Sequence, residues 1–305
     1  RGMKACGHVK LDEPFAGLFT QGMVCHETYR DETGKWLYPR EVEKRGDQAV
    51  HVATGRPVIV GRSEKMSKSL CNVVDPGAII ERYGADTARW FMLSDSPPER
   101  DLEWTEGGVE GAWRFVQRVW RLVTTRLDGL AAVADRPGSF GDAAMALRRA
   151  THKAIAGVTE DVEKFHFNRA VARLYELANT IGEVVPSAAG GRGWALREAL
   201  ETLVQLIGPM MPHLAEELWQ ALGHDELLVD SAWPEADPAL LVDATVTVAV
   251  QVNGKLRATL ELPRDSAEDA ARAAALADEH VQRAMAGKPA RKVIVVPNRI
   301  VNVVV

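Results

Sequence analysis

Residues 61–72 read Gly61-Arg62-Ser63-Glu64-Lys65-Met66-Ser67-Lys68-Ser69-Leu70-Cys71-Asn72. Lys65 and Lys68 set two ammonium groups three residues apart among small hydroxyl side chains, and Arg62 adds a third cation. Lysine is a flexible point charge that can follow a polyphosphate while its charge is redistributed. The hydroxyls of Ser67 and Ser69 and free backbone N–H groups supply further donors. Residue chemistry alone leaves two readings open, a phosphate-binding loop and a solvated basic loop.

Downstream, local signals predict helices. Asp75 can cap and Pro76 suits a first turn, with Ile79, Ile80 and Tyr83 as an apolar stripe. Gly84 ends that helix, and Asp86 is placed as the cap of a second helix from Thr87 to Leu93, stopped by Ser96-Pro97-Pro98. From Glu106 to Leu130, Val109, Trp113, Val116, Val119/Trp120 and Val123 recur at three- and four-residue spacing, which predicts a helix with a Trp113/Val116/Trp120 core stripe. Helices over 142–161, 167–186 and 192–221 follow. Gly138, the Ala188–Gly193 run, Gly208-Pro209 and Pro212 punctuate them. These four stretches predict a helix bundle.

Near the C-terminus the period changes to two. Val246, Val248, Val250 and Val252 alternate with Thr247, Ala249 and Gln251, and Asn253-Gly254 is a strong hairpin signal. A return strand over 255–262, a helix over 266–286 and strands at 291–296 and 299–305 complete a β-β-α-β-β domain.

Upstream, Phe15 to Val24 is a short apolar run that fits a buried strand followed by a loop. Residues 27–62 carry turn signals at Thr33-Gly34-Lys35, Arg45-Gly46-Asp47 and Thr54-Gly55-Arg56, with short β-prone runs between them. They read as a small hairpin-rich insertion, with Trp36 expected in its small core.

Three hundred and five residues exceed one ordinary core, and 46% hydrophobic with 26% charged residues describes a globular chain. No apolar run approaches the roughly 20 residues of a membrane helix, so no membrane partner is expected. Three widely spaced cysteines (Cys6, Cys25, Cys71) exclude a dense disulfide frame and a four-cysteine zinc site. They are expected to be small buried apolar residues in a reducing cytoplasm. No histidine sits at metal-ligand spacing, and His213 near Glu216 and Glu217 reads as a helix face, so no bound metal is expected. The net charge of −5 hides an asymmetry: residues 244–305 hold nine Lys/Arg against six Asp/Glu. A basic tail on an acidic body makes a polyanion partner worth testing.

Lys65-Met66-Ser67-Lys68-Ser69 matches the signature loop of class I aminoacyl-tRNA synthetases residue for residue. Its sequel through Asn72, Asp75-Pro76, Tyr83-Gly84-Ala85-Asp86-Thr87 and Arg89 also resembles that class. Within the class, four segments resemble the bacterial leucine enzymes. These are Phe19–Val24, the insertion just before the loop, Asp101–Trp104 with Gly108–Phe115, and the tail segments Val250–Lys255 and Arg291–Pro297. The second signature of the class, His-x-Gly-His, does not occur, and Gly7-His8-Val9-Lys10 is not one. The resemblance therefore implies the C-terminal third of a longer enzyme, inactive alone. A different class of reading is a stand-alone tRNA-binding module on a degenerate synthetase body.

The resemblance implies a mainly α chain with α/β and α+β parts. Residues 1–26 would end a Rossmann-like catalytic domain, and 27–62 would be the leucine-specific type of insertion. Residues 63–104 would hold the signature loop and a stem-contact region, 105–235 a helical anticodon-arm domain, and 244–305 a domain reaching the tRNA elbow. It implies a leucine–tRNA ligase activity with ATP-Mg²⁺, leucine and tRNA(Leu) as partners, acting as a monomer. Lys65 and Lys68 would be catalytic. Lys65, Met66, Ser67, Lys68 and Ser69 would bind ATP, with Gln21, Gly22 and Met23 on the adenine side at the end of a sheet strand. Arg114, Arg118 and Arg121 share one helix face and would track tRNA phosphates, although a solvated face explains that spacing equally. Lys255, Arg257, Lys288, Arg291, Lys292 and Arg299 are the tail's candidates for tRNA.

Overall fold

A computed structural model describes residues 2–11, 13, 15–46, 48–131, 135–185, 187, 189–242 and 245–305. Asp47, Pro186, Ala188 and Ala244, which the sequence placed in a turn, a helix end, a loop and the start of the tail, lie outside the described residues. The chain forms two units, residues 1–236 and 237–305.

The first unit is built on helices Glu106–Thr124, Asp142–Glu163, Phe167–Glu183, Arg192–Ile207 and Pro212–Ala221. The expected helix over 192–221 is two, parted at Gly208–Met211 by the residues that the sequence marked as breakers. Thr105 caps the first of the five by accepting from the Gly108 N–H at 3.2 Å. Its buried side is Val109, Ala112, Phe115, Val119, Leu122 and Val123. The predicted stripe is thus rotated: Trp120 faces solvent and Trp113 is only partly buried, its ring set edge-on to Tyr83. Phe115 wins the centre by stacking on Trp90, so the residues before the bundle share its core.

Pro76–Tyr83 forms as expected, with Asp75 accepting from the Gly77 N–H at 3.0 Å. The next helix runs Ala85–Ser94, with Gly84 rather than Asp86 at its N-cap. Asp86 is buried in its first turn and serves another helix instead: it accepts from the Leu214 N–H at 2.7 Å and pairs with His213 Nδ1 at 2.8 Å. It satisfies a donor at the start of Pro212–Ala221, where the macrodipole favours a carboxylate.

Val24–Arg30 organises a small sheet. It pairs antiparallel with Ile59–Lys65 and Trp36–Leu37 and parallel with Leu102–Glu103. Both longer strands cross the boundaries drawn at 26/27 and 62/63, so the insertion shares a sheet with the chain on either side. Within the insertion, Val42–Arg45 and Gln48–His51 form a hairpin, and Lys44 pairs with Glu27 at 2.7 Å. Leu37, with Tyr29, Ala49 and Val58, makes the small core; Trp36 instead lies 3.7 Å beneath the Arg30 guanidinium. The buried strand expected within the run Phe15 to Val24 does not form ahead of Val24. Phe15 and Leu18 are exposed, and regular pairing starts only at Val24.

The second unit is a four-stranded sheet ordered Lys255–Pro263, Thr245–Val252, Ile300–Val304, Lys292–Val296, with the two middle strands parallel. Asn253 and Gly254 both take positive φ, as a two-residue hairpin turn requires. The single helix expected over 266–286 is two, Glu268–Ala277 and Glu279–Met285. Asp278 breaks the run by leaving helical geometry to cap the second with bonds to the N–H groups of His280 and Val281. Val248, Val250, Val252, Val301 and Val303 form its core with Ala271, Ala275 and Val281. No described helix of the chain is long and apolar enough to cross a membrane.

Candidate ATP loop and RNA-facing surfaces

Lys65 ends the strand Ile59–Lys65 opposite Cys25, and the chain then leaves the sheet as the signature loop. Three sets of bonds fix that exit. Met66 N–H donates to the Val24 carbonyl at 3.0 Å. Ser67 N–H donates to Asn72 Oδ1 at 2.8 Å. Asn72 Nδ2 donates to the carbonyls of His26 at 3.1 Å, Glu64 at 3.0 Å and Lys65 at 3.4 Å. The Asn72 side chain, wholly buried, thus closes the loop at both ends against the sheet. Cys71 turns the chain into this position with a φ of 54°, in the left-handed region.

Inside the loop the Ser67 and Ser69 hydroxyls lie 3.0 Å apart, and the Leu70 N–H donates to Ser67 Oγ at 3.2 Å. Lys65 and Lys68 are exposed and form no ion pair among the described residues. Arg62 is different: Glu64 neutralises it at 3.0 Å, which removes it as a third free cation. Met66 and Ser67 are half-buried and Ser69 is exposed. The result is a rigid frame carrying two unneutralised ammonium groups, a geometry suited to an anion with several charges.

Gln21, Gly22 and Met23 precede the strand instead of ending one, a correction to the sequence expectation. Gly22 N–H donates to the Pro98 carbonyl at 2.8 Å, Met23 N–H to Asp101 Oδ1 at 2.8 Å, and the Met23 carbonyl accepts from Leu102 N–H at 2.8 Å. A Cβ on Gly22 would sit 2.0 Å from the Arg100 carbonyl oxygen, so only glycine fits that approach. This segment reaches the loop through Val24, whose carbonyl holds Met66.

On the bundle, Arg114 and Arg121 are exposed, but Arg118 is half-buried and donates to Asn179 Oδ1 at 2.6 Å and the Ala178 carbonyl at 3.3 Å. In the tail unit Lys255, Arg257, Lys288, Arg291, Lys292 and Arg299 are all exposed. Strand pairing places Lys292 opposite Val304; Arg291 lies just before the strand, its N–H donating to the Val304 carbonyl at 2.8 Å.

The cysteines are not buried as expected: Cys6 is exposed, and Cys25 and Cys71 are half-buried at strand and loop positions. His213 turns to Asp86 while Glu216 accepts from the N–H groups of Leu228 and Val229. Among the described residues, no group of three or more His, Cys, Asp or Glu side chains could hold a metal ion.

The positioning roles of Asn72, Asp101 and Asp86 were not found by sequence reasoning. Asn72 stood in the motif's sequel with no role. Its partners at His26 and Glu64 carry no side-chain signal because they contribute carbonyls only.

The chain is similar to known proteins along its whole length. Residues 52–105 match the family described as tRNA synthetases class I (I, L, M and V). Residues 145–272 match the anticodon-binding domain of tRNA ligase. Over its whole length the chain is 62% identical to the leucine–tRNA ligase of Paramagnetospirillum magneticum, of which it covers 35%, and 59% identical to that of Parvibaculum lavamentivorans, of which it covers 36%. The chain thus spans about a third of the length of these curated relatives. A crystal structure of the ternary complex of Agrobacterium radiobacter K84 agnB2 LeuRS, tRNA and LeuAMS superposes on 99% of the chain and 35% of its own, with a TM-score of 0.71 at 29% identity.

Proposed function

The likeness along its whole length supports reading the chain as the C-terminal part of a leucine–tRNA ligase, and on that premise we propose that the complete protein activates leucine and charges tRNA(Leu) in the cytoplasm as a monomer. The leucine carboxylate attacks the α-phosphate of ATP-Mg²⁺, pyrophosphate leaves, and leucyl-adenylate forms. A hydroxyl of the tRNA 3′ end then attacks the leucyl carbonyl and AMP leaves.

The share of this chain in the first step is electrostatic. Lys68 and Lys65 neutralise the charge that builds as pyrophosphate departs, while Ser67, Ser69 and the backbone of Met66 supply donors around them. Gln21, Gly22 and Met23 lie on the adenine side of that nucleotide. In the second step Arg114, Arg118 and Arg121 of the bundle hold tRNA phosphates. Lys255, Arg257, Lys288, Arg291 and Lys292 of the tail hold the elbow. The domain organisation follows the same plan: a catalytic end over 1–26, an insertion over 27–62, the loop and stem region over 63–104, an anticodon-arm domain over 105–235 and an elbow domain over 244–305.

The observation that carries this reading is the Asn72-braced loop with two unneutralised lysines inside a segment matched to class I synthetases. Two assays test it. A full-length protein carrying this sequence charges tRNA with leucine, and the 305-residue chain alone gives no leucine-dependent exchange of pyrophosphate into ATP. Charging with another amino acid overturns the substrate, and robust exchange by the chain alone overturns the division of labour.

A further inference from the structure

Helices Glu106–Thr124 and Phe167–Glu183 end side by side, and arginines gather there. Arg126 donates to the Leu122 carbonyl at 3.0 Å in one helix and to the Gly182 carbonyl at 3.5 Å in the other. Arg118 reaches Asn179 and Ala178, and Arg121 Nε reaches only the Gln117 carbonyl of its own helix, at 3.3 Å. Between them lies an open cleft of about 520 Å³ lined by Arg118, Arg121, Arg126, Asn179, Gly182 and Glu183.

Helix ends explain part of this gathering. Each C-terminus carries roughly half a negative charge, so the two ends and Glu183 offset about two of the three positive charges. About one remains, and among the described residues none of the three guanidinium groups is paired with a carboxylate. Arg126 Nε is buried without a hydrogen-bond partner. Burial pushes the Arg126 pKa down, but a guanidinium stays charged at any physiological pH. Its planar fork matches the oxygens of a phosphate.

We infer that this cleft seats a phosphodiester of an RNA backbone, with Arg126 completing a site that Arg118 and Arg121 begin. Arg114, further along the same helix, does not line it. The inference rests on the proposed function and names the place on the bundle where tRNA is held. Three arginines dominate its lining, and guanidinium groups on a backbone phosphate respond to charge rather than to base sequence, so the signature of the site is salt dependence.

The test is a titration of the full-length protein with tRNA over 50–300 mM salt. Arg121→Ala breaks only a bond within its own helix and so does not endanger the fold; Arg126→Ala removes the central group. Each is expected to weaken binding several-fold and to lower the slope of log affinity against log salt by about one. Arg126→Lys, which keeps the charge, is expected to retain most of that slope. Wild-type slopes in both alanine variants would overturn the site. Failure of the wild-type protein to charge tRNA with leucine would overturn the proposed function instead, and the salt slopes would still read the cleft.

Discussion

The Ser67 N–H donates to Asn72 Oδ1 at 2.8 Å, and through this bond a buried amide holds the centre of the signature loop to the strand that precedes it. Asn72→Ala would strand that donor together with three carbonyls, at a cost of about 1–3 kcal/mol. Urea unfolding of the chain is expected to show the loss, and hydrogen exchange at the Ser67 amide to speed up. Asn72→Asp keeps an acceptor for Ser67 but turns a carboxylate toward the carbonyls of His26 and Glu64, so it is expected to do no better. An unchanged midpoint in both variants would remove Asn72 from its bracing role.

Gly22 marks a second contact that a side chain cannot enter. With Arg100 O at 2.0 Å from an added Cβ, Gly22→Ala must push the segment off the Pro98–Leu102 strip. A loss of about 1–3 kcal/mol in chemical denaturation is expected. A neutral result would mean that this backbone approach is looser than the hydrogen bonds of Gly22 and Met23 indicate.

Asp86 caps a helix more than a hundred residues away in sequence. Asp86→Ala is expected to cost about 1–2 kcal/mol, as loss of an N-cap does. His213→Ala is expected to stay within about 0.5 kcal/mol, since that ring is largely exposed. Equal losses in the two variants would place the energy in the ion pair rather than in the cap.

Glu198 links the fold to pH. Burial raises its pKa, but hydrogen bonds from His152 and from Arg148, at 2.8 Å, outweigh burial and leave it lowered. A carboxyl depressed in the folded state contributes stability that is complete above its unfolded pKa of about 4.3 and is lost as pH falls through the folded value. Glu198→Gln is expected to flatten that acid loss. Glu198→Ala at neutral pH leaves buried Arg148 uncompensated, at a cost of about 3–5 kcal/mol. Thermal unfolding between pH 3 and 7 checks both, and parallel pH profiles for wild type and Glu198→Gln would count against the linkage.

The parts of this fold that were legible in sequence are local. Asp75-Pro76 starts a helix and Asn253-Gly254 turns a hairpin because the partner groups lie within three residues. The valine alternation of Thr245–Val252 was legible because one face is buried and a strand has period two. Asp278, which splits the helix expected over 266–286, is a local misreading; the others that bear on the core and the caps are non-local. Asp86 has the residue type of a cap, but its helix begins at Pro212. Trp120 has the right spacing for the core, yet Phe115 stacks on Trp90 and takes the centre. The run Phe15–Met23 is apolar enough for a strand and finds no pairing partner among the described residues. At the site, Lys65 and Lys68 were visible as charges in a motif, whereas Asn72 acts on carbonyls and Arg126 acts where two helices happen to end together.

In the proposed function the Lys65–Ser69 loop stabilises the transition state in which pyrophosphate leaves ATP. Leucine-dependent ATP–pyrophosphate exchange by the full-length protein with Lys68→Ala tests it most directly. The predicted result is a fall in exchange rate of roughly 10²–10³-fold, the cost of one oriented charge at the transition state, with leucine binding unchanged. Exchange at the wild-type rate would contradict it.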